Sequence, residues 1–488
     1  MIQALDTHTA PQLRSARSVF ATEDDGKQIP IHLVYEDGSP DLGLSSSEKR
    51  WLETLKFKGK AKSHVLLSKS DGSLSSVLLG GGNGEKGEPC GASDLLLGLL
   101  HKVLFPSTYH LGQGFRRSDF AYLSWGLGSY QFKYFKRTND KGSELSDCAK
   151  ILLPQGTDRL KIQNTVEAIW FARDLINMPA SDFGPSELEA AVRKVGALYG
   201  AQVRSIVGEE LLSNKFNMIY AVGRGSPRQP RLIELSWKKD NSVSSAPKIT
   251  LIGKGITFDT GGLDIKPASA MLLMKKDMGG AAVALAIAHM IMAQQLDVDL
   301  KLLIPSAENS VSGDAFRPGD ILTSRNGKTI EIGNTDAEGR LILADALEYA
   351  DKDSPDTLFI FATLTGAART ALGPDIPALF CNDDQLAARL VETGLLIGDP
   401  VWRLPLWDGY ERHLESDIAD CNNVWESPFA GSITAALFLK KFLRKTKRFA
   451  HFDLYGWRPA NGPLGPKGAE AQTARTVMEV LRQESLIN

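Results

Sequence analysis

Two stretches of the chain place ionisable residues at the ends of apolar runs, where side chains could act on a bound molecule. In LIGKGITFDTGGLDIKPASAMLLMKKDMGG, Lys254 and Asp259 bracket a strand end, Lys266 lies in the next loop, and Asp277 precedes the apolar run GGAAVALAIAHM. In NTDAEGR (334–340), Asp336, Glu338 and Arg340 open the helical pattern LILADALEYA. Each acidic group also has an ordinary explanation. Asp277 suits a helix N-cap, and Thr335-x-x-Glu338 suits a capping box. Together they leave more to explain. Asp259, Asp277, Asp336 and Glu338 all stand at strand-to-helix junctions, which gather along one edge of a parallel sheet. Four clustered carboxylates repel one another unless cations offset them. Two divalent ions would supply the matching charge, and carboxylate-rich ligation without histidine or thiolate suits Mn2+, Mg2+ or Zn2+. A buried lysine gives up its proton readily, so Lys254 could serve as an amine ligand. Lys266 and Arg340 would stay cationic, available to negative charge that develops on a carbonyl oxygen.

The elements that must hold these groups follow from the patterning. From about residue 184 onward, apolar strand-like runs (RLIELSW, KITLIGKGITF, DLKLLIPSA, DTLFIFATLTG, FAHFDLYG) alternate with the helical runs GGAAVALAIAHMIMAQQ, GRLILADALEYA and GSITAALFLKKFL. Strands separated by helices predict a largely parallel sheet covered on both faces, with its site at the carboxyl ends of the strands. Before residue 155 or so, SHVLLSKS and SSVLLGG read as strands and ASDLLLGLLHKVLF as a helix, in a more polar, glycine-rich setting. The segment between, NTVEAIWFARDLINMPASDFGPSELEAAVRKVGALYG, gives two helical patterns split at Met178-Pro179, the first placed to connect two domains. The expected fold is therefore α/β. A smaller N-terminal α/β domain (1–158) is joined by a helix (159–182) to a larger α/β domain (183–488) with a mostly parallel central sheet. At 488 residues the chain exceeds one ordinary core.

Other features point away from competing chemistries. Gly82, Gly84 and Gly87 fit GxGxxG, but no acidic residue stands about 20 positions on to hold a ribose. No histidine pair has HxxxH or HxH spacing, and no GxSxG elbow occurs. Cys90, Cys148, Cys381 and Cys421 are far apart, which suits a reducing compartment better than a disulfide framework. A net charge of −2 gives no general drive toward nucleic acid or anionic lipid. The basic run KKFLRKTKR (440–448) suits a solvated helix end. GGAAVALAIAHMIMA is shorter than the roughly 20 residues of a membrane span and reads as a buried helix. A cytoplasmic protein with no membrane partner is expected.

GKGITFDTGG, the lysine of DIKP, MKKDMGG, RPGD and NTDAEGR together make the chain resemble the leucine aminopeptidases of peptidase family M17 over about residues 160–456. The N-terminal part is similar only in outline. The resemblance implies a two-metal aminopeptidase that removes the N-terminal residue from peptides with a free N-terminus, using Mn2+ or Zn2+. Carried over by position, it gives a tight metal to Lys254, Asp259, Asp277 and Glu338, and an exchangeable one to Asp259, Asp336 and Glu338. Lys266 polarises the scissile carbonyl, and Arg340, with Leu364, holds a bicarbonate that acts as general base. Met274, Asn334, Thr363, Gly366 and Tyr455 line the pocket for the first side chain. Tyr455 replaces a small residue there, so the pocket is expected to be narrower, with Arg458 favouring a polar or acidic first residue. The family also implies a homohexamer. A two-metal amidase acting on other amides and a DNA-binding role are the alternatives.

Overall fold

The computed structural model describes residues 11–24, 26–38, 41–84, 92–135, 148–240 and 246–485; Gly87 and Cys90 lie outside them. Two sheets organise these residues. The smaller has six strands in the order Phe20–Ala21, Lys150–Leu152, Thr108–Leu111, Ile29–Tyr35, Leu74–Gly82 and His64–Ser68, all parallel except the last pair. The larger runs Trp402–Arg403, Ala378–Cys381, Phe449–Asp453, Thr357–Ala362, Lys248–Gly253, Asp299–Asn309, Arg231–Lys238 and Gln202–Val207, with Gly255–Asp259 pairing the far half of Asp299–Asn309. Its centre is parallel. The flanks are not: Arg231–Lys238 runs antiparallel to both of its neighbours, and Ala378–Cys381 runs antiparallel to Phe449–Asp453. RLIELSW, expected among the parallel strands, is thus a correction. Alternation of strands and helices does not state direction: from Gln202–Val207 the chain passes through Glu210–Ser213 and Asn217–Gly223 and enters Arg231–Lys238 running the opposite way.

The helix Gly279–Ala293 is buried along its whole length because its sequence is apolar on every side and small where it meets the sheet. A Cβ at Gly280 would fall 2.1 Å from the Phe361 carbonyl oxygen, so only glycine permits that approach to the Thr357–Ala362 strand. A 3-10 turn, Met274–Met278, precedes it, and the combined Met274–Ala293 stretch of 20 residues is long and apolar enough to cross a membrane. It is instead the core helix, packed between the sheet and the helix Arg159–Asn177. Arg159–Asn177 touches elements of both domains, and one apolar cluster is continuous across it from Ala16 to Leu481. Asp158 caps its start by accepting the Lys161 N–H at 3.0 Å, and Met178-Pro179 ends it where expected. ASDLLLGLLHK does form a helix, Ser93–Lys102, but wound as a 3-10 helix rather than an α-helix. A side chain at Gly98 would strike the Pro463 carbonyl oxygen at 1.9 Å, which shows how tightly the neighbouring chain presses on it.

Candidate active site

Lys254 interrupts the Lys248–Gly253 and Gly255–Asp259 strands at the carboxyl edge of the central sheet. Its backbone N–H still donates to the Phe361 carbonyl at 2.9 Å, while its side chain turns toward the start of the helix Glu338–Asp351. There Gly339 is required, since a Cβ would fall 2.5 Å from Lys254 Cε. Lys254 Nζ lies 2.7 Å from Asp277 Oδ2 and 2.8 Å from Glu338 Oε1, and it donates to the Thr363 carbonyl at 3.2 Å. Asp277 Oδ1 accepts the Thr363 hydroxyl at 2.7 Å. Asp259 Oδ1 accepts the Gly261 N–H and Asn309 Nδ2, each at 2.9 Å, which turns Oδ2 toward Lys266 Nζ at 2.8 Å. Lys266 also contacts Asp336.

Two loops come together to make this arrangement. The Thr335 N–H donates to Asp264 Oδ2 at 2.7 Å, the Asp264 N–H donates to Thr335 Oγ1 at 2.9 Å, and that hydroxyl donates to the Gly261 carbonyl at 2.7 Å. Asn423, next to the strand Cys421–Asn422 of a three-stranded side sheet, accepts the Gly333 N–H at 2.9 Å and donates to the Asn334 carbonyl at 2.8 Å. The capping explanations are set aside by this geometry. The residue before the Glu338–Asp351 helix is Ala337, with no side-chain cap, and Thr335 is committed to Gly261 and Asp264. Asp277 lies inside the 3-10 turn and caps nothing.

Ligand-type oxygens of Asp259, Asp336 and Glu338 lie within 4.8 Å of one another. Asp277 Oδ2, Asp336 Oδ1 and both oxygens of Glu338 are buried with no hydrogen-bond partner, and three of these four meet only a lysine ammonium group. Burial, followed by the neighbouring carboxylates, pushes Glu338 up to about 8 and Asp336 to about 6, while Asp277 is raised chiefly by burial. Burial would lower Lys254, but Asp277, Glu338 and Asp259 outweigh it and hold its ammonium above the ordinary value; Asp259 and Asp336 do the same for Lys266. Carboxylates raised and lysines raised describe one condition, a cluster short of positive charge. Hard divalent cations fit it, because buried oxygens without donors are what such ions coordinate.

A cleft of about 440 Å³ opens beside the cluster, lined by Lys254, Asp259, Lys266, Asp277 and Asp336 on one side. Met274, Thr363, Leu364, Gly366 and Tyr455 line the rest, so the expected pocket residues are brought together. Asn334 is an exception. It does not line the cleft, because its side-chain oxygen accepts the Asp336 N–H at 2.7 Å and shapes the loop. Arg458 is a second correction: Glu470 holds it at 2.9 and 2.5 Å, and it is absent from the cleft wall. Tyr455 faces the cleft, with Lys276 Nζ 4.6 Å and Arg369 Cζ 5.1 Å from its ring centre. Arg340 is buried outside the lining. It donates to the Asn423 carbonyl at 2.6 Å, and its Nε has no partner. The Leu364 N–H donates to Asp453 Oδ1 at 3.0 Å.

Asp453, Lys276, Arg369, Asn309 and Asn423 had not been singled out in the sequence. Asp453 ends a strand as Asp259 does, a signal that could have flagged it. The basic run is partly spent on ion pairs, Lys440 with Asp408 at 2.5 Å and Arg448 with Glu484 at 2.9 Å.

Comparison with known proteins agrees with this geometry. The model of the cytosol aminopeptidase family catalytic domain, M17, matches residues 170–478, and that of the M17 N-terminal domain matches 29–154. A probable cytosol aminopeptidase of Geobacter sp. (strain M21) is 37% identical over 462 residues, covering 91% of this chain and 93% of its own. Peptidase B of Pectobacterium atrosepticum is 40% identical, covering 70% of this chain and 79% of its own. Among solved structures, the cytosol aminopeptidase from Coxiella burnetii has a TM-score of 0.87 at 43% identity, covering 96% of this chain and 99% of that one. The bottromycin maturation enzyme BotP in complex with Mn has a TM-score of 0.83 at 28% identity, covering 94% and 99%.

Proposed function

The chain belongs to the M17 cytosol aminopeptidase family and is a metal-dependent aminopeptidase, and we propose that Lys254, Asp259, Asp277, Asp336 and Glu338 hold two divalent ions, Mn2+ or Zn2+, at its active site. The observation that carries this reading is the set of four buried carboxylate oxygens beside an open cleft, three met only by a lysine ammonium group and one by nothing. Bound there, the ions would polarise the scissile carbonyl and acidify the attacking water. Asp259 and Glu338 would serve both ions, and Asn309 and the Gly261 N–H fix one Asp259 oxygen and leave the other directed into the cluster. Lys266, freed from the carboxylates when cations offset them, turns its ammonium to the developing oxyanion. A free α-amine is recognised at the same cluster, which accounts for action at the N-terminus only. An amidase on other amides would share these residues and is separated by substrate alone.

Arg340 Nε, a buried donor without an acceptor, supports a bicarbonate general base there, with Leu364 at the cleft wall. We place the two domains at 1–158 and 183–488, with the helix between them. Assembly as a homohexamer is supported by exposed apolar side chains such as Leu272 and Phe429, 78% and 71% accessible. Relatives named for the cytosol, together with the free thiols of Cys381 and Cys421, support a cytoplasmic enzyme. The decisive experiment is hydrolysis of an aminoacyl-amide panel by protein loaded with Mn2+, Zn2+ or Co2+, with metal counted per chain. A single ion per chain at full activity would refute the two-metal assignment. Loss of rate in carbonate-free buffer, restored by added bicarbonate, tests the base.

A further inference from the structure

Beside the carboxylate cluster the cleft wall carries two cations that form no ion pair among the described residues, although Asp277 and Asp453 attract Lys276 from a distance. Lys276 is only 5% exposed, yet among the described residues its ammonium forms no hydrogen bond and no ion pair; its one recorded contact is with the Tyr455 ring. Arg369, on the short helix Gly366–Leu372, likewise meets that ring and no carboxylate. Neighbouring basic groups are committed: Lys254 to Asp277 and Glu338, Lys266 to Asp259 and Asp336, Lys275 to the Asn177 carbonyl, Arg458 to Glu470. A π-face attracts a cation but accepts none of its N–H donors in the way an oxygen does. Keeping an ammonium group out of water without an acceptor is unfavourable, so an anion arriving at this wall is strongly favoured.

We propose that the cleft selects peptides whose first residue carries a carboxylate side chain, aspartyl or glutamyl, with Lys276 and Arg369 as the recognising cations and Tyr455 as the surface that positions them. The inference rests on the aminopeptidase reading above, which puts the substrate amine at the carboxylate cluster. Lys276 is the chain neighbour of Asp277, and Thr363, whose hydroxyl binds Asp277, lines the same cleft. A group reaching this wall from an amine held at Asp277 is therefore within one side chain's length, which designates the first residue. Divalent ions would balance the cluster's carboxylates and leave Lys276 and Arg369 with no carboxylate at ion-pair distance. The Tyr455 ring also takes up volume that a branched apolar side chain would fill.

The test uses p-nitroanilides, which lack a terminal carboxylate, on the Mn2+-loaded full chain. We expect kcat/KM for aspartyl over asparaginyl, and glutamyl over glutaminyl, to exceed one by about tenfold or more, the scale of a charge-assisted hydrogen bond. Arg369 is exposed, so Arg369→Glu should fold; it should bring both ratios to one or below and raise the lysyl substrate. Lys276→Met should lower the ratios as well. Parent ratios near one with good leucyl hydrolysis would overturn the inference while leaving the aminopeptidase reading intact. Ratios unchanged in both variants would also overturn it, by showing that these cations do not set the preference. A panel with no hydrolysis at all would remove the aminopeptidase reading and the inference with it.

Discussion

Glu338 and Glu470 are the same residue type, the first fully and the second largely buried in the larger domain, yet they answer burial in opposite ways. Glu470 accepts Arg173 Nη2 at 3.0 Å and Arg458 Nη2 at 2.5 Å, and although burial would raise it, the two guanidinium groups pull it down to about 2. Glu338 sits at the carboxyl edge of the central sheet with only the Lys254 ammonium on one oxygen and nothing on the other, and burial and like charges push it up to about 8. Glu470 is complete as it stands: it ties the connecting helix, through Arg173, to the hairpin that carries Arg458. Glu338 is complete only with something added. Burial alone does not tell a structural carboxylate from a ligand; the inventory of donors around it does.

The largest effect should come from removing a carboxylate that both ions share. Asp259→Asn is expected to lower kcat/KM by more than about 10³-fold, beyond the loss of a single oxyanion donor, and to reduce bound metal well below two per chain. Full metal content measured by mass spectrometry would show that Asp259 belongs with Glu470 instead. Next comes the converse at the structural site. Glu470→Gln leaves Arg173, 1% exposed at its side chain, without its anion, and should cost about 3–5 kcal/mol of unfolding free energy. Glu338→Gln, in protein stripped of metal, should be neutral or stabilising, because burial and the carboxylates of Asp259, Asp277 and Asp336 disfavour its charge and Lys254 keeps Asp277 as a partner. Urea denaturation of both variants in chelator decides; equal losses would erase the distinction.

Lys266 tests the mechanism rather than the ligation. Its ammonium is shared between Asp259 and Asp336 in the structure, so it reaches across the open side of the cluster. Lys266→Ala should lower kcat by about 10²–10³ while KM changes little, since a cation aimed at developing charge acts mainly in the transition state. A variant with near-normal kcat and a raised KM would make Lys266 a binding group instead.

Much of this was legible in the sequence because strand ends and helix starts are local signals. The buried strands, the core helix and the four carboxylates at its junctions follow from apolar patterning and spacing. The role of the carboxylates did not follow from spacing alone. Asp277 and Glu338 stand where a cap would stand, and only the closing of Lys254 against Gly339, across residues far apart in the chain, shows that neither caps. The family resemblance pointed Arg458 to the cleft. A short hairpin, Trp457–Arg458 paired with Gly468–Ala469, brings Glu470 back onto it. Nothing in the local pattern marks Lys276 or Arg369. Their meeting at Tyr455 depends on where the Phe449–Asp453 strand ends, which no local pattern states.

The smallest effect separates the two glutamates by pH. In the unfolded chain a glutamate titrates near 4.5, whereas Glu470 in the folded protein is held at about 2 by Arg173 and Arg458 against the opposing pull of burial. A depressed carboxyl contributes stability that is present above the unfolded value and is lost as pH falls through the folded one. The window is therefore about pH 4.5 down to 2, and the full shift corresponds to roughly 3 kcal/mol, of which only the upper part is reached at a practical pH of about 3.5. Glu338 acts in the opposite direction: raised above 4.5, it contributes most in acid and loses that contribution as pH climbs toward 8 in metal-free protein. The parent should thus lose stability between pH 5 and 3.5 more steeply than Glu470→Gln, by about 1 kcal/mol. That difference should be the same with metal or chelator, since no ion is needed at Glu470. Urea midpoints at pH 5, 4.25 and 3.5 measure it. Parallel acid slopes for parent and variant would mean that the two arginines do not hold Glu470 down, and the contrast with Glu338 would then rest on hydrogen-bond donors alone.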